Sequence, residues 1–167
     1  MKPVTDYEKI KDLLFNSDKN LFITGPGGTG KTYLINSYLA TATNAIVCGT
    51  TGMAAANIGG DTMHRIFAIP VPACGADLKK IDQSRIKPLI KADVVIIDEI
   101  QESADIYNRI REFTRNLACD FIITGSYLGR ILNDDFKYSA GDLDAIDIQT
   151  LSFEEFLMAL GKEKLYQ

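Results

Sequence analysis

Short apolar runs alternate with segments of helical periodicity along most of the chain, and that alternation predicts an α/β fold built on a parallel sheet. Two further observations narrow the class. Gly25-Pro26-Gly27-Gly28-Thr29-Gly30-Lys31-Thr32 matches G-x-x-x-x-G-K-[ST], between a strand-like Leu21-Phe22-Ile23-Thr24 and a helix-like run carrying Tyr33, Leu34, Ile35, Tyr38 and Leu39. Val94-Val95-Ile96-Ile97 reads as a strand buried on both faces, and it ends in the acidic pair Asp98-Glu99. Together they predict a three-layer P-loop NTPase with a parallel sheet.

The chain has 167 residues and 18.4 kDa, which fits one domain: a helix over 1–18, a nucleotide-binding core over 19–150 and a C-terminal helix over 151–167. A hydrophobic content of 46% and a charged content of 24% are ordinary for a globular protein. No apolar run approaches a membrane span, and no export signal opens the chain. Cys48, Cys74 and Cys119 fit neither a disulfide framework nor metal-ligand spacing, so a reduced cytoplasmic setting is expected. The net charge is −4, with acids concentrated from Asp134 onward, which argues against a simple nucleic-acid coat.

In chain order, residues 3–17 form the first helix, with Thr5-x-x-Glu8 as a capping box and Tyr7, Ile10, Leu13 and Leu14 on one face. The first strand then delivers the chain into the 25–32 loop. Its glycines let successive backbone N–H groups converge on phosphate oxygens, and the following helix adds its positive end. Lys31 is placed to reach the β- and γ-phosphates of ATP, and the Thr32 hydroxyl to ligate Mg²⁺. A rival reading, the dinucleotide fingerprint Gly25-x-Gly27-x-x-Gly30, needs an acid about 20 positions on. The second strand, Ala45-Ile46-Val47-Cys48-Gly49-Thr50, ends without one.

Residues 50–67 predict a short alanine-rich helix stopped by Gly59-Gly60 and a second short helix from Thr62. A proline-bearing loop follows over 68–83. Lys79, Lys80, Arg85, Lys87 and Lys91 then make a basic stretch, read as a solvated helix surface or a track for a nucleic-acid backbone. After the Asp98-Glu99 strand, helices are expected over 104–118 and 152–160, with strands at Phe121-Ile122-Ile123-Thr124 and Ile146-Asp147-Ile148. Asp98 is the expected Mg²⁺ ligand opposite Thr32, and Glu99 the general base for attack by water.

The loop G-x-G-G-T-G-K-T and the box beginning Thr51-Gly52-Met53-Ala54-Ala55 and ending at Phe67 resemble the PIF-like and RecD-like DNA helicases of superfamily one. Those helicases carry T-G-x-A-A-x-x-I-G-G-x-T-x-H-x-x-F there. The resemblance implies a RecA-like ATPase motor, with Thr51, Gly52, Thr62 and His64 on a surface that contacts single-stranded DNA. Read by itself, a lone histidine beside apolar neighbours is more often packed and hydrogen-bonded than catalytic.

Beyond the acidic pair the likeness changes. Asp98-Glu99-Ile100-Gln101, then Ile122-Ile123-Thr124-Gly125-Ser126, then Leu151-Ser152-Phe153-Glu154-Glu155-Phe156 resemble prokaryotic AAA-type ATPases. Where many of those read A-G-R, this chain has Ala140-Gly141-Asp142. That resemblance places a γ-phosphate sensor on Ser126, with Thr124 second; the residues alone read as a strand-end turn at Gly125. Both groups share one RecA/AAA-like core with a strand added between the loop and the acidic strand, and the resemblance therefore implies an all-parallel sheet in the order 5-1-4-3-2.

The leading expectation is a Mg²⁺-dependent ATPase domain of helicase type, without the second motor domain that supplies an arginine finger. A protein partner or a second copy is expected to provide that cation; Arg109, Arg111 and Arg130 are the chain's own candidates. The competing expectations are an AAA-type regulatory ATPase and a non-catalytic nucleotide-binding module.

Overall fold

The computed structural model describes residues 7–17, 20–68, 87–102, 114, 117–126, 144–150 and 152. Among them, one parallel sheet contains β1 (Leu21–Gly25), β2 (Ala45–Gly49), β3 (Asp61–Thr62), β4 (Val94–Asp98), β5 (Asp120–Ser126) and β6 (Asp144–Asp147). The strand order is β3-β2-β4-β5-β1-β6. The five expected strands therefore stand in the expected order. What the sequence did not reveal is the edge strand β3, which pairs Asp61 with Cys48 and Thr62 with Gly49 of β2.

The helices are α1 (Tyr7–Asn16), α2 (Lys31–Leu39), α3 (Gly52–Asn57), α4 (Met63–Ile66) and α5 (Lys87–Lys91), with a 3₁₀ turn at Ile100–Glu102. The period-two alternation of the strands divides the core into two layers. Leu21 and Ile23, Val94 and Ile96, and Ile122 pack with Ile10 and Leu14 of α1 and Leu34 and Ile35 of α2. Phe22, Val95, Ile97, Phe121 and Ile123 face the other way, against Met63, Phe67 and Leu89. Every residue of β4 is buried, as its unbroken apolar run requires.

Several details correct the sequence reading. In α1, Ile10 and Leu14 are buried as an i, i+4 pair against the core, but Leu13 is 42% exposed and turns outward. β2 ends at Gly49, leaving Thr50 to begin the connection to α3. The last strand spans Asp144–Asp147 rather than starting at Ile146, and the Ile148 N–H donates to the Thr24 carbonyl at 2.7 Å. α3 and α4 lie where expected, with Thr62 as the N-cap residue of α4. The side chains of Thr5, Tyr7 and Glu8, most of the two later helices, Cys74, and Lys79, Lys80 and Arg85 fall outside the described residues.

α3 approaches β2 so closely that only glycine fits at position 49. A Cβ there would lie 2.3 Å from the backbone nitrogen of Ala55. Backbone cannot swing aside as a flexible side chain can, so Gly49→Ala is expected to destabilise the fold by about 1–3 kcal/mol. Chemical denaturation measures it, and a midpoint equal to wild type removes the close-packing account.

Candidate nucleotide site

The 25–32 loop sits at the carboxyl end of β1. Gly30, at φ +88°, caps α2 in the left-handed conformation that a side chain resists. The helix then begins at Lys31, with the Leu34 N–H donating to the Gly30 carbonyl at 2.9 Å. Lys31 is only 7% exposed. Its ammonium donates to the Gly25 and Pro26 carbonyls, both at 2.8 Å, and the Thr29 hydroxyl donates to Pro26 as well, at 2.9 Å. Burial holds the Lys31 ammonium below the usual lysine pKa range, while Glu99 and then Asp98 pull it back up. Gly27, Gly28, Gly30 and Thr32 are exposed around it.

Two strands over from β1, β4 brings Asp98 opposite Gly49 of β2. Asp98 is 4% exposed, and the fully buried Thr124 of β5 donates its hydroxyl to the Asp98 Oδ1. Burial is the largest influence on this carboxyl and raises its pKa; the Glu99 charge adds to the rise, whereas the Thr124 hydrogen bond, a hydrogen bond from the Glu99 backbone and the Lys31 charge oppose it. Glu99 follows at φ +57°, an uncommon conformation for a side-chain-bearing residue. Its carbonyl accepts the Thr50 hydroxyl at 2.7 Å, and the Thr50 N–H donates to the Asp98 carbonyl at 3.3 Å. The Glu99 Oε2 accepts the Ser126 hydroxyl at 3.3 Å and the Gln101 side-chain amide.

Asp98 sets up a test of stability against function. A carboxyl whose folded pKa is raised favours the neutral form, so its charge destabilises the fold. That cost is complete above the raised folded pKa and vanishes below the unfolded one. Asp98→Asn keeps an oxygen for Thr124 and removes the charge. It is therefore expected to raise the melting temperature at neutral pH, by an amount that shrinks as pH falls through the carboxylate range. Thermal melts across pH check this; an unchanged or lowered melting temperature at neutral pH refutes it.

Four further residues were singled out as a nucleic-acid surface. Thr51 and Gly52 are exposed where β2 passes into α3, and Thr62 and His64, both half-buried, lie where β3 passes into α4. The β2–β3 pairing brings the two turns to the same end of the sheet. The Thr51 oxygen already accepts the Ala54 N–H at 3.1 Å as the cap of α3. Among the sensor candidates, Thr124 is bound to Asp98 and Ser126 to Glu99, so the two hydroxyls serve different acids. Sequence reasoning gave no role to Thr50 or Gln101. For Gln101 the signal was a polar residue directly after an acidic pair and a buried isoleucine.

Among the described residues no helix is long and apolar enough to cross a membrane. Solved structures share the architecture: the Candida albicans Pif1 helicase superposes with a TM-score of 0.65 at 22% identity, covering 93% of this chain and 42% of that one. In sequence, the chain is 36% identical over 93 residues to the ATP-dependent DNA helicase Pif1 of Bdellovibrio bacteriovorus, covering 52% of this chain and 21% of that one. It is 36% identical over 94 residues to the ATP-dependent DNA helicase PIF4 of Trypanosoma brucei brucei, covering 48% of this chain and 11% of that one. The chain thus spans about a fifth or less of these curated relatives. Residues 5–121 match the model described as PIF1-like helicase, and with 117 of 167 residues (121 − 5 + 1) inside the match, the chain belongs to that family.

Proposed function

We propose that this chain binds ATP with Mg²⁺ at the 25–32 loop and hydrolyses it as one motor domain of a DNA helicase. One observation carries the reading: the buried Lys31 side chain donates to the Gly25 and Pro26 carbonyls at the end of β1, within electrostatic reach of Asp98 and Glu99 at the end of β4. A cation held by backbone carbonyls beside two acids, with exposed glycines around it, suits a ligand that is anionic and brings its own metal ion.

The residues fit Mg²⁺ in the same way. Asp98 and the exposed Thr32 hydroxyl are oxygen donors, and among the described residues no larger acidic cage competes. Such a small donor set is typical of Mg²⁺ shared with phosphates. When bound, Mg²⁺ supplies neutralisation of the phosphate charge. Lys31 exchanges its carbonyl partners for phosphate oxygens, Glu99 accepts the proton of the attacking water, and Ser126 reports on the γ-phosphate. Thr51, Gly52, Thr62 and His64 form the surface for single-stranded DNA. A protein partner or a second copy supplies the arginine finger, unless Arg109, Arg111 or Arg130 does so within the chain.

The test is ATP turnover by this chain with and without single-stranded DNA. Mg²⁺-dependent turnover that DNA accelerates supports the helicase-motor reading. Turnover indifferent to DNA favours a regulatory ATPase instead. That second reading draws support from the contact between Gln101 and Ser126, which joins the D-E-I-Q and T-G-S boxes of the AAA-type resemblance. No turnover at all leaves a nucleotide-binding module.

A further inference from the structure

We infer that Gln101 is a positioning residue for Glu99, holding the carboxylate and the end of β5 in one hydrogen-bonded ring. The inference rests on the ATPase reading above and adds a residue that reading does not use. The ring has three members. The Ser126 backbone N–H donates to the Gln101 Oε1 at 2.9 Å, the Gln101 Nε2 donates to the Glu99 Oε2, and the Ser126 hydroxyl donates to the same oxygen at 3.3 Å.

The polarity of the ring admits one arrangement. A backbone N–H only donates, so the amide oxygen of Gln101 must face Ser126. The amide nitrogen is then turned on Glu99, which as a carboxylate only accepts. Asparagine has the same groups but is one methylene too short for the same span, and a hydroxyl cannot reproduce the two-ended amide.

Glu99 needs this support. Its backbone is left-handed at φ +57°, and its main chain is fixed by Thr50. Nothing in that clamp sets the side-chain torsions, which carry the carboxylate across a half-buried position. The Gln101 amide does so, and it uses Oε2 alone. Among the described residues both of the carboxylate's side-chain hydrogen bonds fall on Oε2 and none on Oε1. The 3₁₀ turn at Ile100–Glu102 aims Gln101 back at β5, anchored by the fully buried Ile100.

Gly125 gives a second handle on the same amide. A Cβ built there would lie 2.9 Å from the Gln101 Oε1 and 3.1 Å from the Ile100 Cγ2. Alanine at 125 therefore pushes the amide off Ser126 without removing a polar group.

The experiment is steady-state ATP turnover and fluorescent-ATP binding by the full chain, wild type against Gln101→Met, Gln101→Ala, Gly125→Ala and the Gln101→Ala/Gly125→Ala double variant. Methionine fills the glutamine volume but makes neither hydrogen bond. Gln101→Met and Gly125→Ala are each expected to lower kcat about 10-fold or more, part of the 10²–10⁴ that a general base contributes. KM and nucleotide affinity should stay within about 2-fold of wild type, since neither residue belongs to the phosphate loop. In the double variant most of the Gly125→Ala effect should disappear, because the amide it displaces is gone and only the Ile100 contact remains. Losses in KM, affinity and melting temperature together, or a fully additive double variant, overturn the positioning role and leave Gln101 as packing. An unchanged kcat in Gln101→Met overturns it outright while leaving the ATPase reading intact. No turnover by wild type overturns both.

Discussion

Lys31→Ala is expected to abolish ATP turnover and to weaken nucleotide binding by about 100-fold or more, the value of two charge-assisted hydrogen bonds at 1.5–3 kcal/mol each. The fold should survive the change. Lys31 is buried, and desolvation costs an ammonium much of what its two bonds to Gly25 and Pro26 return. Pro26 keeps the Thr29 hydroxyl when Lys31 is gone. The pH dependence has a definite sign. Because burial lowers the folded pKa of Lys31, the folded chain binds this proton less tightly than the unfolded one. Lys31 therefore adds stability as pH rises from its lowered folded value towards the ordinary lysine value, and Lys31→Ala should flatten that alkaline rise. Fluorescent-nucleotide titration and alkaline thermal melts measure the two effects. Turnover retained by Lys31→Ala would remove the assignment of the loop.

The features legible in the sequence were those in which local pattern and tertiary position agree. Leu21–Gly25 and Val94–Asp98 are buried strands in any sheet that holds them, and the loop and acidic pair follow directly in the chain. The order of the five expected strands followed from the family resemblance rather than from those two signals. The edge strand β3 was not legible, because two residues carry no periodicity and Asp61–Thr62 become a strand only beside β2. Nor was the division of labour at the end of β5. Thr124 and Ser126 are two residues apart and both hydroxyls, yet the register places the first on Asp98 while the second reaches Glu99. Thr50 escaped notice for a similar reason. It reads as the last residue of a strand, and only the turn after Gly49 and the left-handed backbone of Glu99 bring its hydroxyl to the Glu99 carbonyl.

Glu99→Gln is expected to bind ATP as wild type does and to hydrolyse it 10²–10⁴-fold more slowly, the contribution of a positioned general base. The substitution is conservative everywhere except in the one property that matters. At φ +57° glutamine and glutamate have the same backbone preference, so the strain at this residue is unchanged. The glutamine oxygen still accepts the Ser126 hydroxyl and the Gln101 amide, so the ring can persist. What disappears is an atom able to take a proton from water at neutral pH. The nearby Asp98 cannot substitute, because its Oδ1 is committed to Thr124 and it lies at 4% exposure, on the reading that makes it a metal ligand. Removing the Glu99 charge also removes the larger of the two influences that keep Lys31 protonated. The affinity for ATP in Glu99→Gln should therefore weaken slightly at alkaline pH and not at neutral pH. Single-turnover hydrolysis beside fluorescent-nucleotide binding separates these effects. Hydrolysis within 10-fold of wild type would move the base away from Glu99, below the range expected for its loss. Binding lost together with hydrolysis would make the residue structural. The opposite outcomes expected for Lys31→Ala and Glu99→Gln, one losing the nucleotide and the other trapping it, assign capture to the end of β1 and chemistry to the end of β4.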